Sequence, residues 1–332
     1  MGHSPRRFRV VAGTLLAVVA VTCSLLVAGA KLHIVDARPG NGDPLSGMQM
    51  FVSPNSPVAQ AAASFDHSDP SAARLLRKMA SQPAGIWFGS WNSVTQVGPA
   101  IRTVMSEAAG RQQVPLLVFY AFPYHGCINT PAEASTYMHW VGQAVAAIGN
   151  GKAVVILEPD ALAEYVRVGC VSPTGQRQRL QLIRQTVDQL AGLPNAITYI
   201  DAGNSSWQTP AVMASLLLDV DIKKVRGFSL NVSNFASTAA EEVYGGQLGT
   251  LLHGVHYVID VSRNGIATAT TWCNPPGQAL GVPPTANTGS TLVDGLLWIK
   301  QPWASDGTCN GGPPAGEFWQ SYALGLAARA RW

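Results

Sequence analysis

Short apolar runs alternate with longer amphipathic stretches along most of this chain. Runs rich in Val, Ile, Leu and aromatic residues lie at 84–89, 114–122, 153–158, 196–201, 227–232, 256–262 and 295–300, and each reads as a buried strand. Between them, apolar positions recur at helical spacing near 71–81, 97–110, 131–148, 174–192, 210–221 and 238–252, with a last stretch at 316–330. Seven strands with helical crossovers predict a single α/β domain built on a parallel sheet. Residues 31–50, rich in Gly, Pro and Asp, have linker character, and the folded domain is set at 44–332, after a linker at 31–43. The segment 263–294 carries many Pro and Gly residues and reads as a long functional loop.

One junction stands out in this pattern. Val154-Val155-Ile156-Leu157 runs straight into Glu158-Pro159-Asp160. Proline stops a ladder, so Asp160 is expected at a strand's carboxyl end, where parallel barrels keep their chemistry. The simpler reading is that Asp160 caps the helix that follows. The other predicted strand ends favour chemistry, since they carry Tyr120, Asp201, Asn231, Asn234, Asp260, Arg263, Lys300 and Asp306. Trp87, Trp207, Trp272 and Trp303 follow the same ends. Tryptophans grouped around carboxylates suit sugars, whose C–H faces are apolar and whose rims need hydrogen bonds.

The N-terminus changes the setting. Val10 to Ala30 contains no charged residue, follows Arg6, Arg7 and Arg9, and ends in Ala28-Gly29-Ala30. Residues 1–30 are therefore expected to be a secretory signal or an uncleaved signal anchor. Either one leaves the remainder outside the cytoplasm, secreted or tethered to the outer membrane face through residues 10–30. The net charge of +3 comes from those three arginines; without them 19 basic residues face 19 acidic ones. A neutral domain argues against nucleic acid as a partner and suits a neutral, hydroxylated ligand. Four cysteines beyond the N-terminal segment, Cys127, Cys170, Cys273 and Cys309, form an even set without C-x-x-C spacing, as expected for disulfides in an exported chain. Neighbouring strands have neighbouring loops, which favours the pairs 127–170 and 273–309.

Taken in order, VVILEPDAL (154–162), YIDAG (199–203) with Trp207, GFSLNVSNF (227–235), Ser262-Arg263-Asn264-Gly265, Trp272-Cys273-Asn274 and Trp298-Ile299-Lys300 resemble glycoside hydrolase family 6, in particular its secreted actinobacterial β-1,4-glucanases. The resemblance implies a distorted, TIM-like barrel of seven parallel strands, with the four cysteines at the family's disulfide positions. It implies inverting hydrolysis of β-glucan with no metal or organic cofactor. A monomer is expected, and the want of a long insertion near the early strands favours an open cleft and endo-type cleavage. By the same resemblance, Asp160 is the general acid, Asp306 the candidate base, and Tyr120 lies beside the sugar at the cleavage point. Trp87, Trp207 and Trp272 would stack on sugars, while Asn231 and Lys300 would hydrogen-bond in the cleft.

Three positions depart from the family pattern. His125-Gly126-Cys127 replaces Arg-Asp-Cys, Pro302-Trp303-Ala304 replaces Pro-Gly-Glu, and Asn204 stands where histidine is usual, still able to bond a sugar hydroxyl. The lost aspartate would help keep a proton on the acid, a service Asp201 is placed to supply in part. A glucan-binding homologue with weakened turnover is therefore the second expectation.

Overall fold

The computed structural model describes residues 42–123, 131–166 and 173–332. The apolar segment 10–30, the positions His125 and Gly126, and the expected Cys127–Cys170 pair all lie outside these residues. Seven strands form one sheet: β1 (Ile86–Gly89), β2 (Leu116–Tyr120), β3 (Ala153–Leu157), β4 (Ala196–Asp201), β5 (Gly227–Leu230), β6 (His256–Asp260) and β7 (Val293–Leu297). They lie side by side in sequence order, and every neighbouring pair is parallel. The α-helices are α1 (Pro57–Ser64), α2 (Pro70–Ala80), α3 (Val94–Gly110), α4 (Pro131–Ile148), α5 (Pro173–Ala191), α6 (Pro210–Asp219), α7 (Thr238–Leu251) and α8 (Gln320–Arg329).

The strand sequences explain the layering. In β3 all five residues are buried, as required of a strand covered on both faces. Val154 and Ile156 pack with Leu116, Val118, Tyr199, Val258 and Leu297 in one apolar cluster. Val155 and Leu157 join the larger cluster beneath the helices. Strand alternation thus fills the barrel interior and its helical coat from the same segments. Helix starts follow sequence chemistry too: Ser56, Thr209 and Ser237 accept a backbone N–H, and Pro57 and Pro210 occupy the first turn.

The curl of the sheet is open. Among the described residues β1 and β7 share no ladder, and the seam is bridged one step further along the chain. Gly85 N–H donates to the Trp298 carbonyl at 2.8 Å, and the Trp87 indole N–H to the Ile299 carbonyl at 2.9 Å. A Cβ on Gly85 would stand 2.2 Å from that Ile299 oxygen, so the close approach requires glycine.

Several expectations shift. The last strand, expected at 295–300, pairs over Val293–Leu297, because a register slip at Tyr257/Val258 lets Asp294 bulge from the ladder. Residues 298–301 leave β6 and serve the seam. The last helix, expected from 316, starts at Gln320, since Phe318 pairs with Ala304. The end of the supposed linker is folded: Leu45 is buried in the barrel-interior cluster and Met50 bridges to Val114. Helix α1 was not expected; at eight residues it is too short for a strong periodic signal.

Candidate active site

Carboxylates from three strand ends and the loop after a fourth set the chemistry. Pro159 ends the β3 ladder, and the residues on both sides take left-handed backbone angles, φ 50° at Glu158 and 74° at Asp160. Such angles cost about 1–3 kcal/mol each in non-glycine residues and concentrate at functional sites. Glu158 turns inward and is buried, accepting from the backbone N–H groups of Ala121 and Phe122 at 3.1 Å. It therefore pins the segment after β2. Burial pushes its carboxyl up to about 8, against the pull of those N–H groups.

Asp160 is half-buried, and its Oδ2 accepts a long hydrogen bond, 3.4 Å, from the Tyr120 hydroxyl. The carboxyl is thus turned to the end of β2 instead of back onto its own turn. Its pKa is pushed up to about 7, chiefly by burial and next by the negative charge of Glu164; the Tyr120 hydrogen bond and the Lys300 charge oppose the rise. Asp201, at the end of β4, is buried with Oδ2 accepting from Asp160 N–H at 2.9 Å and Gly203 N–H at 3.0 Å. Burial, with Asp160 as the nearby like charge, raises the Asp201 carboxyl well above the usual range. One low-dielectric site does not readily hold both charges.

Asp306 is the electrostatic opposite. Its Oδ2 accepts from the Arg263 guanidinium at 2.8 Å and from Asn274 N–H at 3.0 Å, and Lys300 Nζ lies 3.2 Å from Oδ1. Burial alone would raise its pKa, but Arg263 and Lys300, with the hydrogen bonds they and Asn274 supply, outweigh burial and hold the carboxyl below the ordinary value. Asp306 N–H in turn donates to Asn274 Oδ1 at 2.8 Å. Asp260 fixes the lysine from behind, its carboxylate accepting from Lys300 N–H at 2.9 Å and Ser233 N–H at 3.0 Å. One carboxyl biased toward its acid form and another held as an anion, with Lys300 acting electrostatically on both, can give a proton at one place and take one at another.

The aromatic groups divide into two kinds. Trp87 sits edge-on to Tyr120 at 5.3 Å, with Lys300 Nζ 5.7 Å from its ring. Trp207 is 38% exposed and Trp272 62% exposed, both free to meet a ligand face. Trp207 folds over Gly203, where a Cβ would stand 3.3 Å from the indole, and a surface depression of about 380 Å³ opens beside it, rimmed by Ser205, Ser206 and Gln208. Trp303, in contrast, is buried against the core and serves packing. Asn231 is likewise buried: its amide bonds the Ala236 and Asp260 carbonyls and the Ala236 N–H. It shapes the loop after β5 and has little left for a ligand. Asn204 is buried and accepts from Ser206 N–H at 3.0 Å, closing a local turn. Cys273 and Cys309 are joined in a disulfide, as expected.

Sequence reasoning passed over the roles of Glu164, of Arg263 and of Asn274. The last two lay within quoted motifs, but their pairing with Asp306 spans 43 and 32 residues and leaves no local trace.

Comparison with known proteins settles the family. The model of Glycosyl hydrolases family 6 matches residues 45–330. The chain belongs to this family. Among its family 6 relatives, Endoglucanase A of Cellulomonas fimi is 39% identical over 261 residues, covering 78% of this chain and 57% of the relative. Endoglucanase 1 of Streptomyces halstedii is 35% identical over 281 residues, covering 81% and 85%. The chain thus spans little more than half the length of the Cellulomonas relative. Among solved structures, the family 6 endoglucanase Cel6 from Mycobacterium tuberculosis, in complex with methyl-cellobiosyl-4-deoxy-4-thio-β-D-cellobioside, superposes with a TM-score of 0.80 at 38% identity, covering 86% of this chain and 99% of that one. The fold is the family's distorted half-barrel of seven parallel strands in one α/β domain.

Proposed function

We propose that this chain hydrolyses internal β-1,4-glucosidic bonds of a glucan with inversion at the anomeric carbon. Asp160 donates its proton to the glycosidic oxygen as the bond to the anomeric carbon breaks. Water attacks that carbon from the opposite face, and Asp306 receives the proton the water loses. The observation that carries the reading is the opposed bias of these two carboxyls, the first pushed up to about 7 and the second held below the usual range. Family membership and the endoglucanase names of the relatives support the substrate class. Two cations make Asp306 a weak base, so much of its effect is a fixed negative charge near the developing oxocarbenium ion.

Trp87, Trp207 and Trp272 supply stacking faces, and Lys300 a hydrogen-bond donor, along the glucan path. Export fits the substrate, since a polymer of this kind does not cross a membrane and its hydrolase must meet it outside the cell. Residues 10–30 either direct that export and are removed or anchor the domain on the outer face.

One observation favours a binding-only homologue: Ala304, at the position where the family pattern has glutamate, is buried and offers no carboxylate. Against it stands the proton-retaining environment of Asp160, set by burial and next by the nearby charge of Glu164. Release of reducing sugar from a soluble β-1,4-glucan, with Asp160→Asn as control, separates the two. Loss of general acid assistance costs roughly 10²–10⁴-fold in rate, so the variant should lose turnover by that factor and keep glucan binding. Undiminished hydrolysis by Asp160→Asn would remove Asp160 from the mechanism, and binding without hydrolysis by the unaltered protein would establish the second reading.

A further inference from the structure

Trp91 belongs to none of the motifs that carry the family resemblance. It stands two residues beyond β1, in a turn whose backbone is held from three directions. Asn92 N–H donates to the Gly89 carbonyl at 2.9 Å, the Asn92 side chain accepts from Gly89 N–H at 3.4 Å, and the buried Trp140 indole donates to the Asn92 carbonyl at 3.0 Å. On this fixed turn Trp91 is 58% exposed. The edge of its ring lies against Gly89, where a Cβ would stand 2.4 Å from the indole and 2.5 Å from the Tyr120 carbonyl. Its ring centroid is 6.3 Å from that of Tyr120, the residue that donates to Asp160.

A single exposed apolar side chain is ordinary on a protein surface. Three features set this one apart: the turn is tied to the core, glycine at 89 leaves room for the ring, and the exposed indole lies one aromatic contact from the candidate acid. A rigid aromatic presented this way offers contact area at small cost in conformational freedom. A pyranose ring, with its apolar C–H face, is the matching ligand.

We propose that Trp91 is a further sugar-stacking platform, on the β1 rim of the cleft, and that it makes affinity depend on glucan chain length. The proposal rests on the hydrolase reading of the site. Trp87 and Trp91 both stand beside Tyr120, with ring centroids 5.3 and 6.3 Å from it, and Trp91, the more exposed, adds an aromatic face on the β1 side. A short oligosaccharide held across the bond-breaking point leaves this station empty, whereas a longer one reaches it.

The test compares KM for cello-oligosaccharides of three to six glucose units in the unaltered protein, Trp91→Ala and Trp91→Phe. An aromatic contact is worth about 0.5–1.5 kcal/mol, so Trp91→Ala should raise KM for the longest substrate roughly two- to tenfold. The rise for the shortest hydrolysed substrate should be smaller, and Trp91→Phe should fall between the two proteins. A purely packing role predicts a lower melting temperature with equal KM shifts at every length, and that result overturns the proposal. A parallel calorimetric titration of Asp160→Asn, with and without Trp91→Ala, separates this idea from the hydrolase reading. If the unaltered protein releases no sugar, the hydrolase reading fails, and length-dependent loss of binding in the double variant still upholds Trp91. Length-independent binding in that pair would reject it.

Discussion

At Asp160 two opposing influences meet, and their balance decides when the acid holds its proton. Burial and the Glu164 charge raise its pKa, while Tyr120 and Lys300 lower it, leaving a value of about 7. Activity that needs the protonated form should decline as pH rises through about 7. Removing the Glu164 charge removes one of the raising influences. Glu164→Gln should therefore move the alkaline limb of the pH–rate profile to lower pH, and an unmoved limb would show that burial alone sets the value. The sequence displayed Asp160 plainly, because Pro159 marks where the strand must stop. It could not display Glu164 in this role, since a lone acid in a short helical turn reads as a solvated residue. Nor could it separate Trp303, buried, from Trp91, exposed. Both follow strand ends, and only the packing of distant segments tells them apart.

Among the elements, the strands were the most legible, because most of them are short, largely buried apolar runs. What escaped were local irregularities. The Asp294 bulge displaces β7 from the expected register, and its carboxylate is there to meet Arg226 at 2.7 Å and Tyr199 at 2.7 Å inside the barrel. Nothing in the run Val293-Asp294-Gly295-Leu296 announces those partners, which come from β4 and the residue before β5. The loops after β6 and β7 form one unit through the Cys273–Cys309 bond and through Asn274, which bonds Asp306 in both directions. Replacing both cysteines by serine should cost roughly 2–4 kcal/mol of stability, measured by denaturant unfolding. It should also depress turnover, because the clamp holds Asp306. Unchanged turnover at reduced stability would show that Arg263 and Asn274 fix the carboxylate unaided.

For the molecule as a whole, the same acids that prepare the site should shape its response to pH. The carboxyls of Glu158 and Asp160 are pushed up to about 8 and about 7 from ordinary values of 4.5 and 3.8. A group whose pKa is raised on folding contributes stability that is complete below its unfolded value and lost as pH rises through its folded value. Asp306, held low, works in the other sense and loses its contribution only in stronger acid. Thermal stability should therefore be greatest near pH 4–5 and fall toward about pH 8. A melting temperature rising over that interval would mean these carboxyls are ionised in the folded protein. A hydrolase of the proposed kind gives one stereochemical outcome, inversion at the anomeric carbon. Proton NMR of a β-1,4-linked cello-oligosaccharide during the first minutes of cleavage reads that outcome directly. Inverting hydrolysis predicts that the α-anomer of the new reducing end appears first and the β-anomer grows in only by mutarotation. The β-anomer appearing first, or no new reducing end at all, would contradict it.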